Sequence, residues 1–216
     1  MRMINYNQQM ENLIKDFKGD KTLLLHSCCG PCSTAVITRL KDYFDITVYY
    51  FNPCLYPNSE YEKRLSEQIK FIEMLNKEEG RNIKIVVPEF KPESFYDTVK
   101  NVENFEILKE GGERCYACYT QRLAETAKYA KQNGFNYFCT TLSVSPYKHA
   151  NWLNEIGLKL ESELKVNFLV ADFKKKEGYK LSQTLSRKYD LYRQNYCGCA
   201  YSYADMQNYL KSLKQN

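Results

Sequence analysis

Five short strand-like runs, separated by stretches of helical spacing, restrict the fold of this chain more than any other feature. The runs are "TLLLHS" (22–27), "ITVYYFN" (46–52), "NIKIVV" (82–87), "NYFCTTL" (136–142) and "NFLVADF" (167–173). After the first, Gly30-Pro31 marks a turn, and "STAVITRLKDY" continues with helical spacing, Pro being favoured in a first helical turn. After the second, Asn58 or Ser59 is the expected cap of a long helix carrying Tyr61, Leu65, Ile69, Ile72 and Leu75 on one face. Further helices are expected within 93–109 and over 115–132, 152–164, 176–190 and 204–214. Residues 1–20 read as a lead-in helix with apolar Ile4, Met10, Leu13, Ile14 and Phe17. This alternation predicts right-handed βαβ units, and hence an α/β chain with a doubly wound, mostly parallel sheet and helices on both faces. Without repeats or an obvious linker, residues 1–216 read as one domain.

In such a sheet, ligands sit beyond the carboxyl ends of the strands. The stretch "LLLHSCCGPC" puts Cys28, Cys29 and Cys32 there, directly after the first strand. A β-to-α turn brings thiols to a helix N-terminus, where unpaired N–H groups and the helix dipole favour thiolates. Cys29 and Cys32 have the spacing of a redox pair or of half a metal site. "GGERCYACY" adds Cys115 and Cys118 at a helix start, and "NYCGCAYS" adds Cys197 and Cys199 around a glycine.

The chain begins with no secretory signal, and no apolar run approaches the roughly 18 residues of a membrane span, so a cytoplasmic location is expected. In a reducing compartment, nine cysteines read as metal ligands or redox groups and not as a disulfide framework. A free cysteine is also a small core residue, and Cys139, inside a strand pattern, reads that way. Cys54, in "NPCLYPN", lies on a loop beyond the second strand. Thiolate-rich sites select zinc, copper(I) or iron–sulfur clusters, and seven thiols exceed what one zinc or one four-iron cluster uses. His26 reads equally well as a buried hydrogen-bonded side chain and as a proton donor. Asp172, near a strand end, is a weaker candidate acid or ligand, and His149 receives no role.

The net charge of +5 permits a polyanionic partner without requiring one. Neither a G-x-G-x-x-G nor a Walker A sequence is present. The segment 174–196 interleaves Lys175, Lys180, Arg187, Lys188 and Arg193 with Tyr179, Tyr189, Tyr192 and Tyr196. Lysine runs are most often simply solvated, but this one leads into Cys197. It therefore reads as a surface for phosphates and stacked bases, with Lys175, Lys180, Arg187, Arg193 and Tyr192 as candidate RNA contacts.

"LLLHSCCGPC", "YYFNPCLYPNSEYEKR", "GGERCYACY", "TTLSVSPYK", "DFKKKEGY" and "LYRQNYCGCAYS" occur in the order found in QueH-type epoxyqueuosine reductases, which the sequence resembles from about residue 21 to 203. The resemblance implies a HUP-type Rossmann-like fold and an oxidoreductase of tRNA processing. Its members carry out the last step of queuosine biosynthesis, reducing the epoxide of epoxyqueuosine at the wobble position of tRNA without cobalamin. It further implies a [4Fe–4S] cluster with a neighbouring mononuclear iron, held by Cys28, Cys29, Cys115, Cys118, Cys197 and Cys199. Some members carry aspartate at position 32 as a ligand to the second iron. Cys32 departs from that pattern, and the expected catalytic set is His26, Cys29 and Cys32. Cys54 replaces the asparagine of an "NPN" loop and is expected to be a substrate contact, not a metal ligand. The implied partners are tRNA and an unidentified electron donor. Two other readings compete: a colourless zinc-stabilised RNA-binding protein, and a metal-free thiol–disulfide oxidoreductase using Cys29 and Cys32. A nucleotide-activating enzyme on the same fold is weakened by the missing phosphate loop.

Overall fold

A computed structural model describes residues 4–214, so the first three residues of the expected lead-in segment lie outside the described residues. Its centre is β1 (Lys21–His26), where Leu23, Leu24 and Leu25 are each fully buried. Three consecutive buried leucines require cover on both faces, which is the property of a parallel strand between two helical layers. Leu23 and Leu25 face one layer, with Val36 and Ile37 of α2 (Gly30–Leu40) and Phe71 and Ile72 of α3 (Asn58–Glu79). Leu24 faces the other, with Leu123 and Ala127 of α5 (Glu113–Gln132) and Leu153 and Ile156 of α6 (Ala150–Leu164).

β2 (Phe44–Tyr49), β3 (Lys84–Val86), β4 (Tyr137–Thr140) and β5 (Asn167–Phe168) complete an all-parallel sheet of order β3-β2-β1-β4-β5. The chain winds outward through β2 and β3, then returns past β1 to β4 and β5. The crevice beyond the carboxyl ends of β1 and β4 is therefore the topological switch point, the usual ligand position in such sheets. The remaining helices are α1 (Tyr6–Ile14), α4 (Pro92–Val99), α7 (Gly178–Lys188) and α8 (Ala200–Leu213). No described helix is long and apolar enough to cross a membrane.

Three local expectations are corrected. β4 stops at Thr140 because the Thr140 hydroxyl accepts the Leu142 N–H, 3.2 Å, and turns the chain into a 3₁₀ turn over Thr141–Val144. β5 is two residues long because the Asn154 side chain takes over its backbone bonds, pairing with both the N–H and the C=O of Ala171 at 2.9 Å. Helix α3 is capped by neither Asn58 nor Ser59. Pro57 occupies the cap, and its carbonyl accepts the Glu60 N–H at 2.9 Å.

Candidate active site

The loop after β1 is fixed from beneath. The Ser27 hydroxyl lies 2.5 Å from that of Ser33, and both donate to the side-chain Oε1 of Gln68 on α3, at 2.7 and 2.6 Å. Cys29 is the N-cap of α2 with extended backbone, and Pro31 sits in the first turn. Gly30 permits the close approach of α2 to α3, since a Cβ there would meet the Glu67 carbonyl oxygen at 2.8 Å. The result is a trio: the sulfurs of Cys28, Cys29 and Cys32 all lie within 4.8 Å of one another, the only such group among the described residues. Hydrogen bonds from Cys29 and Cys32 hold the Cys28 thiol well below its usual range, while the bond to Cys28 pushes Cys29 up to about 11. Cys32 is raised by the same two neighbours. The three thiols are thus coupled acids at close range.

Four other thiols come from α5 and the segment before α8. Cys115 accepts the Gly111 N–H at 3.3 Å. Cys118 shares a buried cluster with Cys54, Cys199, Phe95 and Val99. Cys197 accepts from the Lys148 ammonium at 2.9 Å, and Cys29 accepts from Gln194 Nε2 at 3.2 Å. Gly198 has φ of 134°, and a Cβ there would meet Arg64 Nη1 at 2.9 Å, so only glycine lets Cys197 and Cys199 lie against α3. Arg64 fastens this turn by donating to the Cys197 carbonyl at 2.9 Å. Cys54, on the loop beyond β2 and read above as a substrate contact, shares a buried cluster with Cys118, whose nearness draws its thiol down to about 6. Cys139 is a core thiol on β4, donating to the Leu169 carbonyl at 3.2 Å and pushed up to about 12 by burial.

Buried cations surround these sulfurs. Arg64 is 1% exposed and pairs with Glu60 at 2.7 Å; Lys148, 8% exposed, has Glu110 at 3.4 Å. Arg122, 2% exposed, donates to Asn52 Oδ1 at 2.6 Å and to His26 Nε2 at 3.2 Å. An arginine Nε can only donate, so the tautomer in which His26 Nε2 accepts from it carries the ring proton on Nδ1, 2.9 Å from the Thr140 hydroxyl. The other tautomer would turn Nε2–H to the Phe51 carbonyl, 3.1 Å away, and leave the Arg122 N–H facing a proton. Burial, then Arg122, pushes His26 down to about 3.

A cavity of about 390 Å³ opens over the site, with Cys28, Cys32 and Cys197 on its floor and Lys148 and Glu110 in its wall. Tyr147, Tyr179, Tyr196 and Arg193 stand around it. Of the five candidate RNA contacts, Arg193 alone lines the cavity, braced by Ser186 Oγ at 2.9 Å. Tyr192 lies outside the cavity lining, its ring 3.6 Å from the Lys63 ammonium and its hydroxyl 3.2 Å from Glu60. Lys180 pairs with Glu177, and Lys175 and Arg187 are exposed. Asp172 is engaged by Lys174 at 3.0 Å. Sequence reasoning missed Arg64, Arg122, Lys148 and Gln194; an isolated polar residue on a helix or loop carries no signal of what it will face.

A thiol-floored cavity at the switch point of a doubly wound sheet, with donors aimed at its sulfurs, defines an α/β oxidoreductase. The chain belongs to the family described as epoxyqueuosine reductase QueH, which matches residues 23–205. It is 38% identical over 202 residues to the epoxyqueuosine reductase QueH of Staphylococcus aureus, covering 92% of this chain and 84% of that one. The Streptococcus pyogenes protein of the same name is 35% identical, covering 92% and 78%. The Thermotoga maritima one is 32% identical, covering 84% and 90%. Among solved structures, NMN synthetase from Francisella tularensis is similar at a TM-score of 0.42 and 12% identity, over 87% of this chain and 70% of that one.

Proposed function

We propose that this chain reduces the epoxide of epoxyqueuosine in tRNA to give queuosine, at an iron–sulfur centre with a neighbouring iron and without cobalamin, in the cytoplasm. The observation that carries the reading is the convergence of Cys28, Cys32 and Cys197 on one cavity bordered by tyrosines and an arginine. The donor set suits iron and sulfide. Three N–H groups, of Gly111, Gln194 and Lys148, are aimed at thiol sulfurs, which is the hydrogen bonding that tunes cluster-bound thiolates. The buried Tyr119 hydroxyl has no protein partner and lies among Cys115, Cys118, Cys197 and Lys148. It is a donor left over for a group the polypeptide does not supply. Cys115, Cys118, Cys197 and Cys199 would hold the cluster, and Cys28, Cys29 and Cys32 the further iron.

Converting an epoxide to an alkene takes two electrons and two protons and releases water. When bound, the metal centre supplies single-electron transfer and Lewis acidity toward the epoxide oxygen. The protein's part begins with Tyr147, Tyr179 and Tyr196, which offer faces on which an everted base stacks. Arg193 and the exposed Lys175 and Arg187 hold the phosphates. Leu142 and Pro31 line the apolar part of the cavity and limit water. The Lys148 ammonium, with Glu110 beside it, holds a proton at the cavity wall. His26, fully buried and pushed down to about 3, takes a positioning role in this reading. It positions Arg122.

The test is anaerobic purification with iron and sulfide analysis, followed by mass spectrometry of tRNA treated with the protein and a low-potential reductant. A brown protein that yields queuosine is expected. Stoichiometric zinc in a colourless protein, or full turnover by metal-free protein, overturns the reading.

A further inference from the structure

We propose that Arg122 is the fixed counter-cation of the thiolate centre, and that its charge makes the centre easier to reduce. The inference rests on the iron–sulfur reading above and adds a residue to it. Arg122 follows Cys118 by four residues on α5, so the two share one helix face. It is as buried as Arg64, but its circumstances differ. Arg64 meets Glu60 and Lys148 meets Glu110, whereas no Asp or Glu among the described residues pairs with Arg122. Its two hydrogen-bond acceptors, the Asn52 amide oxygen and the His26 imidazole, are both neutral.

A guanidinium does not lose its proton, and a buried charge with no opposite charge is strongly unfavourable. The negative charge must therefore come from elsewhere. The groups in electrostatic reach are the sulfurs of Cys54, Cys118, Cys28 and Cys197. Neutral thiols at these positions would leave Arg122 uncompensated; thiolates match it, whether free or held as iron ligands. Asn52 and His26 set its orientation, and Asn52 is itself tied by donating to the Ser27 carbonyl at 2.8 Å, directly under the cysteine trio. The arginine is thus anchored to the same loop as the thiolates it faces. A fixed positive charge beside a centre that gains electrons stabilises the reduced state more than the oxidised one, which raises the reduction potential.

The experiment compares Arg122→Lys, Arg122→Gln and Arg122→Met in anaerobically prepared protein by iron and sulfide content and by redox titration followed optically. Both neutral variants are expected to keep iron but to shift negative by at least a tenfold change in the reduction equilibrium, ~59 mV for a one-electron couple. Arg122→Lys is expected to stay close to wild type. The melting-temperature gap between metal-loaded and metal-free protein should also narrow in the neutral variants. An unchanged potential in the neutral variants overturns the inference, as does an Arg122→Lys potential displaced as far as theirs. Arg122→Gln, which keeps an N–H donor for Asn52, carries the test where Arg122→Met does not fold. If neither neutral variant folds, the residue is structural and the inference fails. A wild-type protein without iron overturns the underlying reading and this one with it, whereas iron present with unaltered potentials removes this inference alone.

Discussion

The two edges of the sheet hold cavities of nearly equal size and opposite character. At the carboxyl edge, about 390 Å³ is floored by thiols. At the amino edge, about 410 Å³ is lined by Lys18, Lys41, Asp42 and Arg81 among others. The amino edge is charged as well, but its charges are ordinary: Lys41 pairs with Glu79, and Arg81 pairs with Glu79 at 2.9 Å and with Asp42, all partly open to water. At the carboxyl edge the cations are buried: Arg64 and Lys148 each keep a carboxylate partner, and Arg122 faces only neutral acceptors and sulfur. Volume does not separate a site from a surface hollow here; the state of the charges does. A solvated ion pair contributes little and is easily replaced, while a buried cation beside thiols has no reason to be there except the charge it faces.

Four tests bear on that contrast, in falling order of effect. Cys28→Ala or Cys118→Ala should abolish iron retention and lower epoxide reduction by more than ~100-fold, read by iron analysis and by queuosine content of tRNA. Normal turnover in either variant would make the carboxyl edge no more special than the amino edge. Arg64→Met should destabilise the fold by ~3–5 kcal/mol, because it strands the buried Glu60 and frees the Cys197 turn. Its counterpart at the other edge, Glu79→Gln, should cost ~0.2–1 kcal/mol. Urea titrations of the two side by side give the ratio, and similar values would erase the distinction. Lys148→Met should keep near-native circular dichroism while weakening iron retention by ~10–100-fold through loss of the donor to Cys197. Finally, replacing Lys175, Arg187 and Arg193 together by alanine should flatten the logarithmic salt dependence of tRNA binding by about 2. An unchanged slope in filter-binding measurements would move the RNA surface elsewhere.

The sheet was readable because its signals are local. Buried apolar runs, Gly30-Pro31 and the 3.6-residue periodicity of α3 each act within a few residues, and every expected strand is present. Strand ends were less readable: Asn154 stands on α6, and nothing near 167–173 announces that it will take the bonds of Ala171. The site divides in the same way. The Cys28, Cys29 and Cys32 trio is one turn of chain, so spacing alone brings it together. Cys54 meeting Cys118, and Arg122 meeting His26 and Asn52, are encounters between elements far apart in sequence. Spacing says nothing about those.

The turn holding Cys197 and Cys199 bears on the order in which the protein can be made. Arg64 and the Tyr56 N–H reach forward to the backbone of Cys197 and Gly198, the latter at 2.7 Å. A chain emerging from the ribosome presents the Cys28 trio first and the Cys115 pair much later. It has no complete set of thiols until that last turn docks. Docking of this turn onto α3 therefore completes the site: a chain grown only as far as residue 196 carries the trio and the α5 pair without Cys197 and Cys199.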